Sequence, residues 1–221
     1  MIGRLLAVAI GLAAQAAAQD PVELSAGYKV EIDNNWVRVL RVNRGGHAKV
    51  AMHRHPASVI VFLTDYHQKV IGPDAEAREV TRKAGDVSYF EPLTHAEENL
   101  SDQPMQAVVI ELKPRPRDYS PAPTVLDPVK LDPEHHLVPL ENDRVRVLRT
   151  ILEPHLKSPM HEHPHYVVVY LTELHTTMTL GDGRTVDNPR RPGEIAWRDA
   201  LRHVTENIGD HTAVEIQVEL K

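Results

Sequence analysis

Cysteine is absent from the 221 residues, which excludes disulfides, thiolate nucleophiles, iron–sulfur clusters and cysteine zinc sites together. A basic surplus is also missing: 25 Lys and Arg stand against 31 Asp and Glu, a formal charge of −6. Nothing in that balance neutralises a phosphate backbone, so nucleic acid is not expected as a partner. Long hydrophobic runs are lacking as well. The apolar stretch from Leu5 to Ala14 falls short of the roughly 20 residues needed to cross a hydrocarbon core. With 42% hydrophobic and 25% charged residues, neither wholesale disorder nor a multi-span membrane protein is expected. What the chain does have is 17 prolines and 14 histidines.

Arg4, the short apolar stretch and Ala16-Ala17-Ala18 have the order of a secretory signal peptide, with cleavage expected after Ala18. A buried first helix is the alternative, but the stretch is apolar all round and carries no capping residue. The expectation is therefore a signal peptide over 1–18, a periplasmic or secreted protein, and no membrane attachment after cleavage.

Comparing the chain with itself reveals a duplication. Asn34 and Val37-Arg38-Val39-Leu40-Arg41 recur 108 residues later as Asn142 and Val145-Arg146-Val147-Leu148-Arg149. Met52-His53-Arg54-His55-Pro56 recurs as Met160-His161-Glu162-His163-Pro164, and Gly85, His95 and Glu98-Asn99 as Gly193, His203 and Glu206-Asn207. Each copy ends on Glu-Leu-Lys, at 111–113 and 219–221. Two domains are thus expected, 19–112 and 134–221, joined by a proline-rich linker over 113–133 whose prolines oppose helix and interior strand. Within the copies, Trp36 to Val42 and Arg144 to Arg149 alternate apolar with Arg, as half-buried strands do. Val59 to Leu63 and Val167 to Leu171 are short β-branched runs of strands buried on both faces. Gly72-Pro73-Asp74 and Gly181-Asp182-Gly183 mark hairpins. No long amphipathic helix follows the leader, so each copy is expected to be an antiparallel barrel or jelly roll.

The histidines fall into this pattern. On a strand, positions i and i+2 share a face, so His53 with His55, and His161 with His163, project together. A third histidine about 40 residues on, His95 or His203, completes three imidazoles able to hold a divalent metal with positions left open. Imidazole suits Fe, Zn, Mn, Ni and Cu. His165 extends the second run to a third alternate position, as a fourth ligand, a catalytic proton shuttle, or a residue of the barrel mouth. This asymmetry favours copy two as the chemical site. His67 and His175 are expected at the surface, and His135, His136 and His211 in solvent. His47 and His155 are candidates for orienting the ligands, and Tyr89 and Trp197 for packing across the barrel. Glu98 and Glu206 are expected on the face opposite the third histidine.

The sequence resembles a two-domain cupin. His53 and His55 match that family's first motif, and Gly85-Asp86, His95 and Asn99 its second; His161, His163, Gly193-Glu194, His203 and Asn207 match both again. The resemblance implies an all-β chain of two tandem cupin barrels in which the Asn closes a turn or orients the third histidine. It departs where the family supplies a Glu ligand, since Ser58-Val59-Ile60 and Tyr166-Val167-Val168 stand there. Three neutral ligands leave the charge of a divalent ion uncompensated and favour an anionic, chelating small-molecule substrate. Such sites resemble those of thiol and diketone dioxygenases, which implies Fe(II). The chain is accordingly expected to be a metal-dependent dioxygenase, with Val59, Val61, Val167 and Val169 as a dry wall beside the ligands. A non-catalytic metal- or ligand-binding barrel, a barrel stapled by its metal, and a zinc hydrolase are the alternatives. Pairing of two chains as a homodimer is compatible with this reading.

Overall fold

The computed structural model describes residues 19–117, 119 and 125–221; the signal peptide expected over 1–18 lies outside them. The first copy runs through a one-turn helix α1 (Pro21–Leu24) and strands β1 (Tyr28–Asp33), β2 (Val37–Arg44), β3 (Lys49–His55), β4 (Ser58–Phe62), β5 (Tyr66–Ile71), β6 (Ala77–Arg82), β7 (Val87–Phe90), β8 (Leu93–Asn99) and β9 (Met105–Leu112). The second repeats it with α2 (Pro128–Leu131), β10 (His136–Glu141), β11 (Val145–Leu152), β12 (His161–His163), β13 (Tyr166–Tyr170), β14 (Leu174–Leu180), β15 (Thr185–Arg190), β16 (Ile195–Arg198), β17 (Leu201–Asn207) and β18 (Ala213–Leu220).

Each copy is an antiparallel barrel of two sheets. A five-stranded sheet, β1-β2-β9-β4-β7 or β10-β11-β18-β13-β16, faces a four-stranded one, β3-β8-β5-β6 or β12-β17-β14-β15. Residue chemistry fixes the turns. The Asn34 side chain accepts from the backbone N–H groups of Trp36 and Val37, and Asn142 does the same for Arg144 and Val145. Both expected hairpins form, between β5 and β6 and between β14 and β15. Gly183 takes the left-handed conformation (φ +85°) that β14–β15 requires.

The two five-stranded sheets bury their valine rows against each other. Val37, Val39, Val59, Val61, Val108 and Ile110 meet Val145, Val147, Val167, Val169, Ile216 and Val218 in one apolar core. Period-two alternation places these side chains between the barrels. The four valines expected as a wall beside the ligands therefore lie on the other face of their strands, and Tyr89 and Trp197 pack at this same junction. Two reciprocal bonds flank the core: Arg41 donates to the carbonyl of Gly193, and Arg149 to that of Gly85.

The proline-rich segment is not wholly extended. Pro128 is the first residue of α2, a position where its missing N–H costs nothing, and Asp127 caps that turn as Asp20 caps α1. Asp127-Pro128-Val129-Lys130-Leu131 is thus the counterpart of Asp20-Pro21-Val22-Glu23-Leu24, and the second copy's first element lies inside the expected linker.

Candidate metal centres

His53 and His95 are direct cross-strand partners between β3 and β8, as are His161 and His203 between β12 and β17. Such pairing brings side chains within touching distance, and the second histidine of each pair lies two residues along on the same face. The outcome is two buried triads. His53, His55 and His95 form one and His161, His163 and His203 the other, with potential ligand atoms all within 4.8 Å of one another in each.

Hydrogen bonding sets the imidazoles for metal. In barrel two, the Nδ1 atoms donate to Pro159 O (2.8 Å, from His161) and Glu219 Oε1 (2.6 Å, from His163), and His203 Nδ1 pairs with Thr205 Oγ1 (3.1 Å). Each Nε2 is then left buried without a partner. Three convergent lone pairs with no donor are costly in a protein interior and are satisfied by a cation. Burial also holds all three histidines below their usual titration range, the neutral state that ligation needs. Barrel one repeats the scheme, with His53 Nδ1 donating to Ala51 O and His55 Nδ1 to Glu111 Oε1, each over 2.8 Å. Both ring nitrogens of His95 lack partners, and burial lowers its pKa to about 4.

Behind each triad runs a carboxylate relay. Glu111 also accepts from Arg38 Nε (2.6 Å), which reaches Asp20 (2.6 Å); Glu219 accepts from Arg146 Nε (2.5 Å), which reaches Asp127 (3.0 Å). Supports of this kind fix imidazole orientation and raise metal affinity. Burial drives the Glu219 carboxyl upward; at Glu111 the His55 and Arg38 contacts outweigh burial and hold it low. Both glutamates belong to the recurring Glu-Leu-Lys ends, a visible signal whose inward direction needed the fold to read.

Other candidates move. His165 sits at the bend after Pro164, off the strand, so alternation fails there. Its ring stacks on Trp197 (5.6 Å) and lies 4.6 Å from Trp36, outside the triad, and its Nδ1 accepts from Ala200 N. His165, open to reading as a fourth ligand, a proton shuttle or a residue of the barrel mouth, thus lies outside the His161, His163 and His203 group. His136, expected in solvent, is buried with its ring 5.2 Å from that of His161, and burial lowers its pKa to about 4. It occupies the place of Tyr28 in barrel one. His47 and His155 lie exposed in left-handed turns (φ 57° and 63°), away from the ligands they were expected to orient. His67 and His175 pair at the surface with Glu79 and Asp187. Asn99 and Asn207 close turns, donating to Gly45 O and Gln103 O, and to Leu152 O and His211 O.

The barrel interiors differ. Barrel one holds a cavity of 370 Å³ that reaches His55 and His95. Ile60, Phe62, Phe90 and Val109 supply apolar wall, and Tyr28, Arg44, Ser58 and Gln68 polar groups. Arg44 pairs with Glu97, and both are only 4% exposed. In barrel two, Tyr166 and Tyr170, 1% and 2% exposed, stand where barrel one has Ser58 and Phe62. Tyr166 thus adds bulk at the place of the small Ser58 side chain.

No family model and no curated protein matches the chain. Solved structures do. AerE from Microcystis aeruginosa superposes with a TM-score of 0.64 at 14% identity, covering 92% of this chain and 97% of that one. A salicylate 1,2-dioxygenase mutant from Pseudoaminobacter salicylatoxidans gives 0.57 at 10% identity, over 84% and 70%. Oxalate decarboxylase from Bacillus subtilis gives 0.56 at 12% identity, over 84% and 68%. The fold is that of a bicupin. The bicupin fold serves oxidation in one neighbour and decarboxylation in another, so it leaves the choice of reaction to the site itself.

Proposed function

We propose that this bicupin is an exported, metal-dependent enzyme, a non-haem Fe(II) dioxygenase acting on a small anionic chelating substrate, with its reactive site in barrel one. The observation that carries the reading is the 370 Å³ cavity against His55 and His95, which combines apolar walls with the buried Arg44. A pocket of that size, which joins apolar walls to convergent polar and charged groups, lies in the range of small-molecule sites. This moves the chemistry from copy two, which His165 had favoured, to copy one.

Iron held by His53, His55 and His95 would supply one-electron chemistry toward O₂. The chain's own groups do the rest. Ile60, Phe62 and Phe90 exclude water. Arg78 and Arg82, on β6 beside the cavity, add positive charge that draws an anion inward. Tyr28 remains a phenol, because burial pushes its pKa well up, and its O–H donates to Glu97 Oε1 at 2.7 Å.

The test is oxygen uptake by iron-loaded protein offered small carboxylates, diketones and thiols. Substrate-dependent uptake that Phe62→Trp suppresses supports the proposal. Zinc retention with ester or amide hydrolysis replaces it by a zinc hydrolase, and ligand binding without turnover replaces it by a binding barrel.

A further inference from the structure

Barrel two reverses the polarity of its interior. Val42, Val80, Phe90, Ala107 and Val109 line the barrel-one cavity, and the residues 108 positions on are Thr150, Asn188, Arg198, Glu215 and Gln217. Strand pairing brings these polar groups together. Thr150 and Tyr170 flank Glu215 across β11, β18 and β13, Gln217 follows two residues along the same inward row, and Arg198 pairs with Tyr166. Glu215 has a strand on either side and its neighbour Ile216 is buried in the joint, so the surface that Glu215 still exposes opens inside the barrel. Glu219, the partner of His163, stands four residues further along β18, about 13 Å away. The polar end is thus separate from the triad.

Its hydrogen bonds do not close. Gln217 Nε2 donates to Glu215 Oε1 (2.6 Å), which leaves Gln217 Oε1 a buried acceptor without a donor, and Thr150 Oγ1 is buried without a partner as well. Both residues are only 3% exposed. Arg198 Nη2 donates to Asn188 Oδ1 (3.1 Å), and Arg190 lies over the Tyr170 ring, 5.5 Å from its centre, with its Nε buried and unpartnered. Neither arginine forms an ion pair among the described residues. Both lie close enough to Glu215 to favour its charged form, yet burial still raises that carboxyl, so it offsets at most one of the two guanidiniums.

An uncompensated cation and an acceptor without a donor are each costly in a protein interior, and one ligand removes both defects. A carboxylate answers the guanidiniums. Gln217 Oε1 requires a donor on the same molecule; an ammonium would return the positive charge that the carboxylate cancels, so the donor is a hydroxyl. We propose that this end of barrel two is a second small-molecule site, which holds a small hydroxycarboxylate between Arg190, Arg198, Thr150 and Gln217. It needs no metal and does not depend on the reaction proposed for barrel one.

Calorimetry of the full-length protein with lactate and propionate, before and after chelator treatment, tests the site. Lactate is expected to bind in both states, at least about 10-fold tighter than propionate, which leaves the Gln217 acceptor without a donor. Two substitutions import the barrel-one residue, a side chain that the same fold accommodates at the matching place. Gln217→Val is expected to erase the preference for lactate, and Arg198→Phe to weaken both acids about 10–100-fold. Thr150→Val exchanges one hydroxyl for a methyl and is the milder companion should either variant fail to fold. It is expected to weaken lactate about 3–10-fold. Binding that chelator abolishes, equal affinity for the two acids, or binding that survives both Gln217→Val and Arg198→Phe would overturn the assignment. Absence of any lactate binding would overturn it too, and would leave ordered water as the only partner of these groups.

Discussion

Glu219 accepts the Nδ1 proton of His163 across 2.6 Å, and in doing so leaves that imidazole's Nε2 as a lone pair aimed at the centre of barrel two. Glu111 and His55 repeat the relationship in barrel one at 2.8 Å. Replacing Glu219 by Gln keeps the size but removes the charge and frees the amide to present either face. Barrel-two metal affinity is expected to fall about 10–100-fold, checked by competition with a colorimetric chelator. Equal affinity would show that Glu219 serves only Arg146.

The cavity supplies a sharper prediction. Ser58 lines it, and barrel two accommodates Tyr166 at the matching place. Ser58→Tyr should therefore fill barrel one while leaving the three histidines in position. Metal content is expected to stay the same, and ligand binding and turnover to disappear. Full activity in this variant would place the reaction outside the cavity.

Acid stability follows from the buried imidazoles. Burial lowers His95 and His136 to about 4, and also lowers His161, His163 and His203. The unfolded chain binds these protons near the ordinary histidine pKa of about 6.5, whereas the folded chain does not, so stability rises with pH across this interval. It is complete above about 6.5 and is lost as pH falls toward 4. Burial raises Glu215 and Glu219, and the Asp132 hydrogen bond raises His135; these act in the opposite sense but number three against five. The melting temperature of chelator-stripped protein is expected to be lower at about pH 5 than at about pH 7; an equal or higher value would contradict it.

The joint between the barrels is one continuous apolar core. Ile216 is fully buried there among valines of both copies. Ile216→Ala should cost about 2–5 kcal/mol, read as a lower urea midpoint. A stability loss below this range would mean that the joint relaxes around the cavity.

Much of this was legible from the chain. Alternation located β2 and β11, short β-branched runs located β4 and β13, and the His-x-His pairs with their third histidines marked both triads, because ligation needs side chains on one face and strands provide it every second residue. What escaped had physical causes. Glu97 has no copy, since Thr205 stands in its place, so comparing the halves filtered it out. Tyr28 and His136 occupy one position with different chemistry and looked unrelated. The capped turns at Asp20 and Asp127 lie 107 residues apart rather than 108, and an ungapped comparison misses them. At His165, Pro164 bends the chain, and strand parity ended one residue before it was applied.

The central claim is that both triads hold metal. Elemental analysis of protein purified without a chelating tag, alongside His53→Ala/His55→Ala and His161→Ala/His163→Ala, tests it most directly. Two equivalents of divalent metal per chain are expected in the parent and one in each variant, because the two sites share no ligand. A folded parent that retains no metal after supplementation would contradict the account.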